Sequence, residues 1–167
     1  MAESRYRSLG LAVAAVVFVV DQLIKWVMIH PLQLQMVGQI RLLPIFNLTW
    51  VENTGVSLGM LAADSEVERW GLVALTGAIA LAVLIWLWRE RNRGDVVALG
   101  LVLGGALGNI VDRSRYGYVV DFMDLHFGGF RPFYVFNIAD AAITIGVVIL
   151  LVRSLFGPKA NKEKIDA

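Results

Sequence analysis

The sequence predicts an all-α membrane protein with four transmembrane helices and a small extracytoplasmic β element and loop on the outer face. Of the 167 residues, 57% are hydrophobic and only 17% are charged, whereas soluble domains are about 45–50% apolar and about 25% charged. The apolar residues lie in four runs, each close to the ~20 residues that cross a hydrocarbon core, namely Leu9–Ile29, Val67–Trp88, Asp95–Val111 and Tyr134–Phe156. We expect the whole chain, 1–167, to form one integral membrane domain.

The basic residues are distributed unevenly between the two sides of these runs. Nine lie on the side of the termini and of the link between the second and third runs, and five lie on the other side. Because Lys and Arg concentrate on the cytoplasmic side, we expect both termini and the link 89–93 in the cytoplasm. The first run continues through Asp21 and Lys25 without a small-residue cleavage site, so it predicts a retained anchor helix. The polar tail 158–167 is expected to be disordered.

The first outer segment carries the pattern of a small β element at about residues 32–58. Apolar and polar residues alternate in its middle part, which is typical of a half-buried strand, and Pro44 confines its strand to an edge or a bulge. Residues 53–55, Asn-Thr-Gly, predict a turn. Ser65, with Glu68 three positions later, predicts a capping box that opens the second helix.

Three aspartates lie inside or shortly before the fourth run. Asp140 is inside it, where a charge costs about 2.5–3.5 kcal/mol on insertion scales and is a functional candidate by default. Asp121 and Asp124 precede it. Two carboxylates that share a site cannot easily both ionise, so one keeps a proton, and such a pair can activate a water and protonate a leaving amine. Spacing alone does not choose between Asp121 and Asp124 as the partner of Asp140.

Further polar residues lie within the first and fourth runs. Asp21 and Lys25 are four apart and share a helix face. This spacing fits either a mutually neutralising structural pair or a direct part in proton transfer. Asn137 and Asp140 are three apart on one face, and the alternative to chemistry at Asp140 is a structural hydrogen bond to a neighbouring helix.

The third run ends in small residues followed by polar ones. The stretch Gly104–Gly108 lets another backbone approach closely, as small residues do at contacts between membrane helices. Asn109, Asp112 and Arg113 follow at the outward end of the helix. We expect Asp112 and Arg113 to pair there and to hold the helix end.

The composition gives little support to metal or nucleic-acid chemistry. The chain has no cysteine, which excludes disulfides, thiolate nucleophiles and cysteine-based metal sites. His30 and His126 fall in interfacial loops, where exposed or hydrogen-bonded roles are expected. We therefore predict no metal and no other cofactor, and the net charge of +1 gives no sign of a nucleic-acid partner.

Five motifs follow one another from Asp21 onward: DQLIK, NTG, GGALGNIVDR, VVDF and FNIAD. Their order and spacing resemble the lipoprotein signal peptidase family (signal peptidase II), which consists of bacterial aspartyl membrane proteases. The resemblance implies an aspartic endopeptidase whose catalytic pair is Asp121 and Asp140, and this choice over Asp124 comes from the resemblance. The predicted supporting or substrate-binding residues are Asp21, Lys25, Asn53, Gly55, Gly105, Gly108, Asn109, Asp112, Arg113 and Asn137.

The resemblance also implies a substrate and a location. The substrate is a prolipoprotein whose cysteine carries diacylglycerol, and the cut falls just before that cysteine. We expect the stretch Gly104–Gly108 to admit a lipid chain of the substrate, with membrane lipids as further partners and globomycin-type cyclic peptides as inhibitors. The implied location is the bacterial cytoplasmic (inner) membrane, with the active site near the outer face. Residues 56–58, Val-Ser-Leu, depart from the family's usual Ala-Ala/Ser-Phe, which concerns the substrate contacts of this loop.

Two other functional classes are compatible with buried carboxylates. A small proton-coupled transporter predicts carboxylates near the bilayer midplane that are reachable from both sides. A non-enzymatic membrane scaffold predicts that an Asp140→Asn variant keeps its function.

Overall fold

The fold consists of membrane-length helices with a small sheet at one end. The structure, a computed structural model, describes residues 2–55 and 65–156, so the predicted tail 158–167 and the departure at 56–58 lie outside the described residues. The elements in chain order are α1 (Ala2–Ile29), α2 (Leu34–Val37), β1 (Gln39–Leu43), β2 (Phe46–Asn53), α3 (Glu66–Arg89), α4 (Arg93–Tyr116), β3 (Val119–Leu125) and α5 (Ile138–Phe156). Within the described ranges, α1, α3, α4 and α5 are long and apolar enough to cross a membrane. This confirms the predicted fold class.

Local capping residues determine where two of the helices begin and end. The Ser65 side chain accepts from the amide of Glu68, and the Glu68 carboxylate accepts from the amide of Ser65 at 3.0 Å, so the predicted capping box is confirmed. α4 continues to Tyr116, beyond the predicted end at Val111. It stops where Gly117 adopts a φ of 89°, a left-handed conformation that glycine adopts without steric cost.

The fourth membrane helix begins later than its apolar run. Phe136 forms a bridge to Met123 of β3, and α5 starts only at Ile138. The predicted start at Tyr134 is therefore wrong. Asp140 consequently lies in the first turn of α5, where backbone amides still lack helical partners.

Three antiparallel strands form the sheet in the order β1-β2-β3. β1 and β2 lie within the predicted β element, whereas the sequence analysis does not predict β3. Pro44 directly follows β1, which lies at the edge of the sheet and has a register irregularity between Arg41 and Leu43. A proline cannot donate a hydrogen bond to a neighbouring strand, so this edge position agrees with the prediction. The sheet connects the end of α1 to the start of α3 and the end of α4 to the start of α5. It therefore lies at one end of the helices.

The central helix is α4, which contacts α1, α3 and α5. A Cβ atom at Gly104 would lie 2.5 Å from the carbonyl oxygen of Ala14 in α1, and one at Gly105 would collide with the carbonyl oxygen of Ala139 in α5. The predicted close approach of backbones is confirmed. The predicted passage for a lipid chain along Gly104–Gly108 is wrong, because α1 and α5 already fill the space beside these glycines.

We expect a Gly104→Ala substitution to lower the free energy of unfolding by about 1–3 kcal/mol, since overpacking against a backbone carbonyl forces the helices apart. Thermal unfolding of the detergent-solubilised protein measures this loss. Gly77→Ala in α3 is the matched control, because no atom lies within 4 Å of its added Cβ and alanine is the better helix former by ~1 kcal/mol. Equal losses at both positions would contradict the packing described here.

Candidate active site

Asn137 connects the two carboxylates that the sequence analysis singles out. Its side chain is fully buried, and its Nδ2 donates to Asp121 Oδ1 at 2.7 Å. Its Oδ1 accepts from the Asp140 amide at 2.9 Å, while its own amide donates to Asp140 Oδ2 at 3.3 Å. The second pair of bonds is a reciprocal capping arrangement at the start of α5. One amide side chain therefore fixes both Asp121 and Asp140.

Asp140 is held from the other side by α4. Asn109 Nδ2 donates to Asp140 Oδ1 at 2.8 Å. The Asn109 oxygen accepts from Lys25 Nζ and from Asn137 Nδ2, each at 3.2 Å, so the orientation of the Asn109 amide is fixed. Asp140 remains half-buried, and its position at a helix N-terminus favours a negative charge.

Asp121 lies on β3 and is 1% exposed. Both carboxylate oxygens accept from amides, because Asn53 Nδ2 donates to Asp121 Oδ2 at 3.0 Å in addition to the bond from Asn137. Burial and, second to it, the nearby charge of Asp140 raise the pKa of Asp121 to about 7, because the two amide bonds only partly oppose them. At neutral pH the carboxyl of Asp121 therefore binds a proton far more readily than an exposed aspartate does.

The predicted turn at 53–55 is tied to α4. Gly55 donates its amide to Asn53 Oδ1 at 3.2 Å, which closes the turn and aims the other end of the Asn53 amide at Asp121. Arg113 Nη2 donates to the Gly55 carbonyl at 2.7 Å. The loop is thus anchored directly beside the carboxylates.

A buried cluster of charges lies next to this network. Lys25 Nζ lies 2.9 Å from Asp21 and 2.6 Å from Asp112, and all three side chains are at most 3% exposed. The two carboxylates also hold backbone. Asp21 Oδ1 accepts from the Ala139 amide at 3.0 Å, and Asp112 Oδ2 accepts from the Val120 amide at 3.2 Å. The cluster therefore positions the start of α5 and the start of β3, the two elements that carry the aspartates.

Comparison with known proteins agrees with this geometry. A family model described as Signal peptidase (SPase) II matches residues 13–156. The lipoprotein signal peptidase of Sphingopyxis alaskensis is 57% identical over 162 residues, which cover 96% of this chain and 94% of that protein. The chain belongs to the signal peptidase II family. It is therefore a protease and a multi-pass membrane protein.

Another relative and a solved structure also match this chain over nearly its whole length. The lipoprotein signal peptidase of Rhizorhabdus wittichii is 55% identical over 168 residues, which cover 99% of this chain and 98% of that protein. A solved structure described as a bacterial membrane enzyme is 30% identical in sequence and superposes with a TM-score of 0.78. The match covers 95% of this chain and 94% of the chain in that structure. The fold and the family thus agree over nearly the whole chain.

The structure separates Asp121 from Asp124, which spacing alone could not do. Asp124 accepts from Arg131 Nε at 3.0 Å and Nη2 at 3.2 Å, and from Thr49 Oγ1 at 3.0 Å. Burial raises the pKa of Asp124, but the bonds from Arg131 and Thr49 outweigh burial and hold that pKa below its ordinary value. Asp124 forms a local ion pair with Arg131 and, among the residues that the structure describes, shares no hydrogen-bond partner with Asp140.

Three expectations about supporting residues are revised. Asp112 pairs with Lys25 and not with Arg113, because neighbouring residues on a helix point in different directions. Gly105 and Gly108 make helix contacts with α5 and with the Asp21 carboxylate respectively, so they allow close packing and do not line a substrate channel.

Sequence reasoning missed Gln22 although it lies inside the DQLIK motif. Its Nε2 donates to Asp112 Oδ1 at 2.9 Å, to Asp21 Oδ2 at 3.2 Å and to the Gly108 carbonyl at 3.3 Å. The sequence did carry a signal for Gln22, since a polar amide in an apolar helix requires hydrogen-bond partners.

The ring nitrogens of His30 and His126 lie near backbone carbonyls, as expected, and no cluster of metal-binding side chains occurs among the described residues.

We expect a Lys25→Met substitution to destabilise the protein by about 3–5 kcal/mol, because it leaves two buried carboxylates without a counter-charge. The free energy of unfolding in detergent measures this loss. Arg153→Gln is the control, since its pair with Asp95 at 2.6 Å is partly exposed and such pairs contribute only about 0–1 kcal/mol. A loss at Lys25 no greater than the loss at Arg153 would contradict the structural role assigned to the cluster.

Proposed function

We propose that Asp121 and Asp140 are the catalytic dyad of an aspartic endopeptidase that removes signal peptides from diacylglyceryl-modified prolipoproteins. The cut falls just before the lipid-bearing cysteine. The observation that carries this proposal is the shared contact with Asn137, which bonds directly to both aspartates. Family membership supports the reaction class, and the hydrogen-bond network supports the choice of these two aspartates.

The two aspartates have different roles because their environments differ. Asp140 is half-buried at a helix N-terminus and acts as the charged base that takes a proton from the attacking water. Asp121 is almost fully buried with a pKa of about 7, so it keeps its proton and donates a hydrogen bond to the scissile carbonyl. The water oxygen bonds to the carbonyl carbon, and the proton taken from water then passes to the leaving amine as the C–N bond breaks.

The supporting amides keep the dyad in this geometry through both steps. Asn109 and Asn137 orient Asp140, and Asn53 and Asn137 orient Asp121. Because each amide also bonds elsewhere or packs tightly, the carboxylates reorganise little when charge moves between them. Asn53 ends β2 beside the dyad, so we propose that the sheet and the turn at 53–55 clamp the substrate from the outer side.

The orientation of the protein follows from the same arrangement. We propose that both termini lie in the cytoplasm of a bacterium and that the dyad lies near the outer face of its inner membrane. The distribution of basic residues supports this, since nine lie at the termini and in the α3–α4 link. The acidic network lies at one end of the helices, beside the sheet, which suits a protease better than a transporter with access from two sides.

Membrane lipids surround the proposed substrate path. The diacylglycerol of the substrate stays in the bilayer while the peptide enters the site from the membrane edge. Globomycin-type cyclic peptides are proposed to bind across the dyad, a proposal that rests on the family resemblance.

We expect Asp121→Asn and Asp140→Asn each to lower the cleavage rate by at least about 10²–10⁴, because each removes one of the two proton-transfer groups. The assay is cleavage of a lipid-modified prolipoprotein by purified protein in detergent. Asparagine keeps the size of the side chain, so both variants are expected to remain folded, which thermal unfolding checks.

Asp124→Asn is the matched control for this experiment. It changes the same atoms on the same strand, but Asp124 bonds to Arg131 and Thr49 and not to the dyad. Most activity is expected to remain. An inactive Asp124 variant beside an active Asp121 variant would show that the dyad has been assigned to the wrong aspartate.

A further inference from the structure

Polar side chains cover one face of the sheet, away from the catalytic network. Arg41 of β1 pairs across the strands with Asn47 of β2, and Asn47 pairs with Asp124 of β3. Successive strand residues point to opposite faces, and Leu48, the neighbour of Asn47, joins the apolar core beneath the sheet. The row from Arg41 to Asp124 therefore lies on the outer face of the sheet.

A cavity of about 340 Å³ opens on this face. Its lining includes Arg41, Asn47, His126 and Arg131, with Leu43 and Pro44 at its edge. The volume corresponds to roughly ten waters at ~30 Å³ each. The cavity is thus large enough for a polyatomic group.

The two arginines that line the cavity, Arg41 and Arg131, give it an excess of hydrogen-bond donors. Arg41 is exposed and makes no ion pair with any residue in the described ranges. Arg131 uses two of its five N–H donors to bind Asp124. The Asp124 carboxylate therefore neutralises the charge of Arg131. The charge of Arg41 is left without compensation, which favours an anionic ligand with several acceptor oxygens.

Asn47 gives a second and independent indication of a ligand. The residue is only 6% exposed, and its side-chain amide has no hydrogen-bond partner in the part of the chain that the structure describes. Among the described residues, the fully enclosed side-chain polar atoms without a partner are Arg69 Nε and Arg113 Nε, so the Asn47 amide faces the open space of the cavity. An acceptor bound in the cavity would satisfy this amide together with Arg41.

Exposed apolar side chains lie in or directly beside the segments that line the cavity. Leu43 is 60% exposed, Ile45 44%, Phe127 52% and Phe130 66%. The two segments are joined, because the His126 amide donates to the Ile45 carbonyl at 2.9 Å, and Phe127 pairs with Phe130 in a tight turn. Exposed apolar residues beside basic ones, at the end of a membrane-spanning bundle, are typical of a surface that rests in the interfacial layer of a bilayer.

We propose that this cavity binds the phosphate of an anionic phospholipid headgroup, with Arg41 and the Asn47 amide as donors and Leu43, Ile45, Phe127 and Phe130 seated among the acyl chains. The bound lipid would fix the height and tilt of the sheet at the membrane surface. Because β2 and β3 also carry Asn53 and Asp121, a sheet fixed in this way keeps the catalytic site at the level of the bilayer edge. This inference does not depend on the chemistry assigned to the dyad.

The test is a titration of short-chain phosphatidylglycerol into the full-length protein in detergent, followed by calorimetry, for wild type, Arg41→Gln and Arg115→Gln. Arg41→Gln is expected to raise the Kd about tenfold, which corresponds to the loss of one charge-assisted hydrogen bond. Arg115 is the matched control, since it is an exposed arginine at the same end of the helices but outside the cavity. Its replacement is expected to change the Kd less than about twofold, within ordinary surface effects.

Two further ligands identify what is recognised. Diacylglycerol without phosphate and free glycerol phosphate are both expected to bind more weakly than phosphatidylglycerol, because each lacks one half of the proposed contacts. The proposal is overturned if either binds as tightly, or if Arg41→Gln and Arg115→Gln weaken binding equally. Cleavage of substrate in detergent by Arg41→Gln is expected to match wild type, which checks that the variant is folded and separates this proposal from that of the dyad.

Discussion

The arrangement depends on one fully buried amide. Asn137 begins α5, donates to Asp121 on β3 and exchanges two hydrogen bonds with Asp140. A buried amide without partners is costly, so these bonds restrict both the start of the helix and the position of the strand. The two carboxylates are brought together by the requirement that one polar side chain in an apolar setting be satisfied.

The charge cluster beneath this amide explains how a membrane protein holds so many polar groups. Lys25 contacts both Asp21 and Asp112, and each carboxylate also accepts from a backbone amide of an element that carries one of the two proposed catalytic aspartates. A buried ion pair seldom stabilises a protein more than apolar packing would. The cluster instead has a positioning role, because it fixes α1, α4, α5 and β3 relative to one another.

The sequence predicted those features of the fold and the site that depend on residues close together in the chain. The four apolar runs, the Ser65 capping box and the Asp21–Lys25 pair depend on neighbours within one helical turn. Long-range contacts were not predictable in this way. The pairing of Asp112 with Lys25 joins residues far apart in the chain, and the choice of Asp121 over Asp124 came from family motifs, since both have suitable spacing. The late start of α5 could have been recognised from Asn137 and Asp140, whose N-x-x-D spacing fits a helix cap.

The central claim is that Asp121 and Asp140 belong to one hydrogen-bonded site, in which the charge of Asp140 acts on the carboxyl of Asp121. The most direct test is a pH titration of the Asp121 carboxyl by carbon NMR or difference infrared spectroscopy, in wild type and in Asp140→Asn. In wild type the proton is expected to leave as the pH rises through about 7. Removing the charge of Asp140 removes one cause of the raised pKa, so the midpoint is expected to fall in the variant. An identical midpoint in both proteins would contradict the shared dyad.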